Sequence, residues 1–270
     1  MFSLGNFSAY SFYGAGWTVG RLVERLAAAG YRGAGLADLG GFYGAVEFSQ
    51  ACDRAGLRMV LGCRMRVRDF VPGWLQLTVR SAAGYAAVCR LVSGANGGEL
   101  EWEALEEMQA TAAGEVWISC PIRVEHVYGG RIGNWPRWRS CWEDLLGRGW
   151  DNLWLELCWH NEEEQLLQRR AFSELRRRGW TRWVVIGGAR HDGSAGGAEL
   201  LELLQSMGTL TRIGQAHPDK LPEGDYGLVE RKFLDARFGR VPEVLESTRE
   251  FAEACRFDFS YGKMYLPNPL

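Results

Sequence analysis

Apolar positions along the chain switch repeatedly between two spacings. Val19, Leu22, Val23, Leu26 and Ala27 recur three and four residues apart, and Gly30 closes the run, which predicts a helix over residues 19–29. Residues 43–55, 82–92, 102–108 and 162–178 carry the same helical signal. Between them lie short apolar or alternating runs, which predict strands over 34–37, 58–67, 73–80, 115–119, 152–159 and 183–186. The order is strand then helix, repeated, with no linker rich in Pro, Gly or Ser to split it. A mostly parallel sheet covered by helices follows, and a closed or nearly closed β/α barrel fits it better than a sandwich. Gly187 with Gly188, and the run from Gly193 to Gly197, lack the Gly-Lys-Ser/Thr ending of a phosphate loop and read as turns.

Length and composition then narrow the class. A chain of 270 residues buries about three quarters of its unfolded surface, so neither disulfides nor a metal is needed merely to fold. The seven cysteines include no Cys-x-x-Cys pair, which argues for a reducing, cytoplasmic setting and against a zinc ribbon. No run of about 18 apolar residues is present, and the start carries no basic leader, so no membrane association is expected. A net charge of −2 supplies no whole-chain argument for nucleic-acid binding.

Candidate chemistry lies in five segments. Leu36 to Phe48 contains Asp38 and Leu39, followed by Tyr43, Gly44, Ala45, Val46 and Glu47. The segment resembles the second motif of the PHP (polymerase and histidinol phosphatase) domain found at the front of bacterial DNA polymerase III alpha subunits. That motif reads Leu-Thr-Asp-His-Gly before a Tyr-Gly-Ala-Val-Glu-Phe helix start. Residues 2–11 are similar to the family's opening, with Ser3, Gly5 and Phe7 in its three His places and Ser8, Tyr10 and Ser11 retained. Leu61 to Arg64 resembles Ile-Gly-Cys-Glu, with Arg64 in the Glu place. Leu153 to His160 retains His160. Val185 to His191 retains His191 but has Ala189 in an Asp place. The helix over 243–255 and the segment from Gly262 to Asn268 resemble the family's exit toward the polymerase core.

This resemblance spans essentially the whole chain. It implies a PHP-type distorted (β/α)7 TIM-like barrel over residues 1–206. A C-terminal extension over 207–270 would pack a helix on the barrel and end where a polymerase palm would begin. A hydrolytic metal site needs about three protein ligands per ion and an open position. Of the family's ligand places only Asp38, His160 and His191 keep a ligating residue, and Leu39 has no donor atom at all. No functional metal is therefore expected; a residual Zn or Mn site on those three residues is the alternative.

Three further features carry two readings each. Arg64, Arg66 and Arg68 alternate with Cys63, Met65 and Val67, so the arginines share one face of a strand. Arg64 then either turns into the former site and pairs with Asp38, or joins a solvated edge. Arg169, Arg170, Arg176, Arg177, Arg178 and Arg182 are interleaved with glutamates, which favours a solvated helix face over a nucleic-acid footprint. Trp135, Trp138, Trp142 and Trp150 form either a protein-binding hot spot or part of a packed barrel exterior.

The resemblance implies a catalytically inactive module acting as a scaffold or interaction surface in DNA replication or repair, with a DNA polymerase, proofreading or translesion component as partner. Direct nucleic-acid binding is not favoured. The rival is a metal-dependent phosphoesterase or 3′-5′ exonuclease with a reduced metal site.

Overall fold

The structure is a computed structural model describing residues 1–70, 73–95, 98–122, 125–127, 130–132, 135–217, 219–221 and 223–259. In chain order the elements are β1 (Phe2–Asn6), α1 (Val19–Ala28), β2 (Gly33–Leu39), α2 (Ala45–Ala55), β3 (Arg58–Val67) and β4 (Trp74–Val79). There follow α3 (Ala82–Gly94), β5 (Glu99–Leu100), α4 (Trp102–Ala112), β6 (Val116–Pro121), β7 (Glu125–Val127), β8 (Gly130–Ile132) and α5 (Trp135–Gly147). The chain continues through β9 (Leu153–Leu157), α6 (Glu162–Arg177), β10 (Trp183–Val185), α7 (Ala195–Thr209), α8 (Arg231–Phe238) and α9 (Pro242–Ala254).

The main sheet runs β1-β2-β3-β4-β6-β9-β10, with β5 added beside β3 and β7–β8 as a separate hairpin. Its pairs are parallel except that β4 is antiparallel to both β3 and β6. The sheet curls into a nearly closed barrel flanked by helices. Beyond β10 the amides of Gly187 and Gly188 donate to the Leu4 carbonyl on β1 at 2.8 and 3.3 Å, which nearly shuts the seam. The open edge of β10 is satisfied by α9: Trp183 and Val185 donate their amides to the hydroxyls of Ser247 and Thr248, at 3.0 and 2.9 Å. A helix thus supplies the acceptors that an unpaired strand would otherwise lack.

Strand periodicity sorts the side chains into two layers. Phe2, Leu4, Val60, Trp154, Val184 and Ile186 form one buried cluster with Phe251 of α9, filling the lower barrel. Alternate residues such as Leu61, Cys63, Leu75, Leu77, Leu153 and Leu155 belong to the larger cluster under the helices. The barrel interior is filled by packed side chains. Four helices start where a side chain takes an orphan amide: Thr18, Ser81, Asn161 and Ser194 cap α1, α3, α6 and α7.

Several expectations change. The Gly193–Gly197 stretch is not all turn, because Ser194 caps α7 and Gly196 and Gly197 lie in its first turn. A domain boundary after residue 206 falls inside that helix. The segment from Gly262 to Asn268, and with it the end of the extension at residue 270, lies outside the described residues. Trp135, Trp138 and Trp142 are not a surface: they lie i, i+3 and i+7 on α5, are buried, and stack at 5.4 and 6.1 Å. Trp150 is half-buried against the same core, with Trp102 at 6.4 Å. These rings therefore pack the barrel exterior, and Trp135, Trp138, Trp142 and Trp150 are committed to the core instead of forming the expected interface. Among the described residues no helix is long and apolar enough to cross a membrane.

Candidate functional site at the barrel mouth

Arg64 decides the character of the mouth. It sits on β3 inside the barrel, its side chain only 3% exposed, and its Nη2 donates to Glu156 Oε2 at 2.6 Å. Glu156 stands on β9, so the ion pair crosses the lumen and does not join adjacent strands. The other carboxylate oxygen accepts from Ser119 Oγ at 2.7 Å. Above the pair lies Phe7, buried, with the Arg190 guanidinium 3.8 Å and the Arg64 guanidinium 5.6 Å from its ring centre. Cations over an aromatic face are attracted by its quadrupole. Arg190 is held in place by donation to the Gly14 carbonyl at 2.6 Å.

Asp38 is not the partner of Arg64, and strand register gives the reason. Leu39 is paired with Arg64, whereas Asp38 is paired with Cys63. Neighbours across a ladder share a face, so Asp38 and Arg64 point to opposite sides of the sheet. Asp38 instead collects the turn after β1. Its Oδ1 accepts from the Ser8 amide at 2.7 Å and from Ser11 Oγ at 2.6 Å, and its Oδ2 accepts from Ser8 Oγ at 2.7 Å. Burial pushes its carboxyl above the ordinary range, outweighing the pull of those donors and of Arg190 in the other direction.

The remaining positions are equally committed. Gly5 has φ +67, and a Cβ there would lie 2.6 Å from Ile186 Cγ2, so no imidazole fits without displacing the barrel core. Ser3 is tied to Asn6, whose side-chain amide also donates to the Gly35 carbonyl at 2.9 Å. Ala189 is buried and its carbonyl accepts the Phe7 amide at 3.0 Å. Leu39 packs against the core and its amide donates to Ser11 Oγ at 3.0 Å. His160 Nδ1 lies 2.8 Å from the Asp225 carbonyl, and its ring stacks on Tyr226 at 4.6 Å. A carbonyl partner requires that Nδ1 carry the proton. His191 Nδ1 accepts the Gly193 amide at 3.2 Å, which suits a neutral ring, and burial lowers its pKa.

Asp38, His160 and His191 are therefore three separate anchors. Among the described residues no group of three or more His, Cys, Asp or Glu is placed to hold a metal ion. The residues present do not fit the metal that the sequence resemblance implies: Arg64 brings a guanidinium to the mouth, and a divalent cation beside it would meet like charge. The space left among Phe7, Arg64, Glu156, His160, Gly188 and Tyr226 is about 10 Å³, room for roughly one water.

Glu156 was the residue that sequence reasoning left out. Its signal was present: a lone acid in the otherwise apolar run Leu153 to Leu157 must find a cation if that strand is buried. Arg66 and Arg68, beyond the rim, pair with Glu99 and Glu101 at the surface. On α6 and its end, Arg176 pairs with Glu243, and Arg178 with Glu174 and Glu143, which fits a solvated face.

Residues 5–136 match the model of the PHP domain. The chain is similar to the error-prone DNA polymerase of Anaeromyxobacter dehalogenans, 27% identical over 260 residues that cover 93% of this chain and 22% of that protein. It is similar to the error-prone DNA polymerase of Corynebacterium efficiens, 24% identical over 269 residues, covering 96% and 23%. The same holds for that of Symbiobacterium thermophilum, 27% identical over 272 residues, covering 92% and 24%. The chain thus spans between a fifth and a quarter of the length of these curated relatives.

Proposed function

We propose that this chain, related to the PHP domain family through residues 5–136 and at low identity to error-prone DNA polymerases, is a degenerate PHP module that has exchanged its metal site for structural contacts. Its role is to support or recruit a component of a DNA polymerase assembly in replication or repair. The observation that carries the reading is the Arg64–Glu156 ion pair across the lumen at 2.6 Å. It puts a fixed cation where the family resemblance calls for a ligand carboxylate, and Phe7 covers it. The retained Asp38, His160 and His191 support the same reading, since each has a backbone-anchoring duty that does not need a metal.

Two measurements test it. Elemental analysis after incubation with Zn and Mn, with assays on a phosphomonoester and on labelled single-stranded DNA, is expected to give no stoichiometric ion and no hydrolysis. A tightly held ion, lost together with activity in His160→Ala, would establish the rival phosphoesterase or exonuclease. Immobilised chain presented with native lysate is expected to retain a polymerase, exonuclease or translesion component; retention of none of these removes the interaction role.

A further inference from the structure

A second concavity opens outside the barrel, where α6 meets the α8–α9 segment. It encloses about 260 Å³ over a floor that includes Leu157, Phe172, Phe238 and Val244. Arg169, Arg237 and Arg240 line it, and no acidic side chain does so among the described residues. All three arginines are exposed, and no ion pair engages any of them among the described residues. Arg237 donates to Gln165, a neutral partner that leaves its charge uncompensated. The neighbouring Arg176 and Arg178 are by contrast paired with Glu243, Glu174 and Glu143. The groove is therefore a local cationic collar around an apolar pocket on a chain whose net charge is −2.

We propose that this groove docks an acidic segment of a protein partner, which inserts one large apolar side chain over Phe172 and Phe238 and sets carboxylates against Arg169, Arg237 and Arg240. Size and charge together select that occupant. The volume lies below the roughly 300 Å³ at which pockets begin to enclose drug-sized ligands, and suits a single anchor side chain. A nucleic-acid strand needs a basic track along its backbone. Here the three arginines surround a compact apolar floor and form no such track. The inference concerns a surface remote in chemistry from the mouth and stands whether or not the mouth is catalytic.

The test is an array of short peptides in which Asp, Glu, Lys, Ser, Gly, Leu, Phe and Trp are combined at random, probed with the 270-residue chain. Retained peptides are expected to carry Leu, Phe or Trp flanked by acids, and their binding to weaken as salt rises from about 50 to about 300 mM. The double variant Arg169→Glu with Arg240→Glu is expected to lose about tenfold or more in affinity for the best peptide, with an unchanged melting temperature. The milder Arg169→Gln with Arg240→Gln serves if charge reversal disturbs the fold. Enrichment of basic or uncharged peptides, no retained peptide, or binding indifferent to these variants would overturn the proposal. So would an oligothymidylate that competes for the groove with the same arginine dependence and binds more tightly than any peptide.

Discussion

Replacing Arg64 with Met tests the ion pair at the barrel mouth most directly. Methionine keeps an unbranched apolar stem against Phe7 and removes only the charge and the donors. Glu156, whose side chain is 5% exposed, would then retain the Ser119 hydroxyl as a donor at 2.7 Å. Removing one partner of a buried pair costs about 3–5 kcal/mol, because the other charge stays out of water uncompensated. With roughly 2–4 °C per kcal/mol for a chain of this size, the melting temperature should fall by about 10 °C. The companion change Glu156→Gln preserves an acceptor for Ser119 and removes the stranded charge. Arg64→Met with Glu156→Gln should therefore return to within about 1 kcal/mol of the parent, a recovery of about 2–4 kcal/mol relative to Arg64→Met alone and far below the sum of the two single changes. The pair is not an ideal one, since Arg64 Nε and Nη1 meet no acceptor among the described residues, and this favours the neutral replacement. Urea denaturation of the parent, both single variants and the double variant at neutral pH measures all four corners. A single Arg64→Met that is neutral within about 0.5 kcal/mol, or a double variant as damaged as the sum of the singles, would refute the lumen-crossing pair.

Two further outcomes follow from the same geometry. Trp142→Ala should cost about 3–5 kcal/mol in urea denaturation, because its ring is 2% exposed between Trp138 and Trp180; a variant as stable as the parent would return that ring to the surface. Asp38 binds its proton more tightly in the folded chain than its ordinary value of 3.8, so the folded state holds more protons than the unfolded one and stability is lost as pH rises through that window. The stability of the parent relative to Asp38→Asn should accordingly decline from about pH 3.5 upward and then level off; a difference that does not change with pH would show that burial does not dominate at this carboxyl.

Whatever the sequence determined was local. Val19, Leu22, Val23 and Leu26 announce α1, and the structure places that helix over Val19–Ala28 with the four residues buried, because a 3.6-residue period is a property of neighbouring positions alone. The strand over Arg58–Val67 was legible for the same reason, as was the loss of donor atoms at Gly5, Phe7 and Leu39. The i, i+3, i+7 spacing of Trp135, Trp138 and Trp142 was also there to be read as a buried helix face, but the richness in tryptophan suggested a binding surface instead. Only the tertiary structure could decide what Arg64 pairs with. Alternation fixes which side chains of one strand share a face, yet which face of the next strand meets them depends on register, and register is set by packing across the sheet. That register turns Asp38 outward to Ser8 and Ser11 and leaves Arg64 inside, where it meets Glu156 on β9, 92 residues away in the chain. Curvature of the sheet into a barrel brings the two together, and no spacing along the sequence encodes that distance.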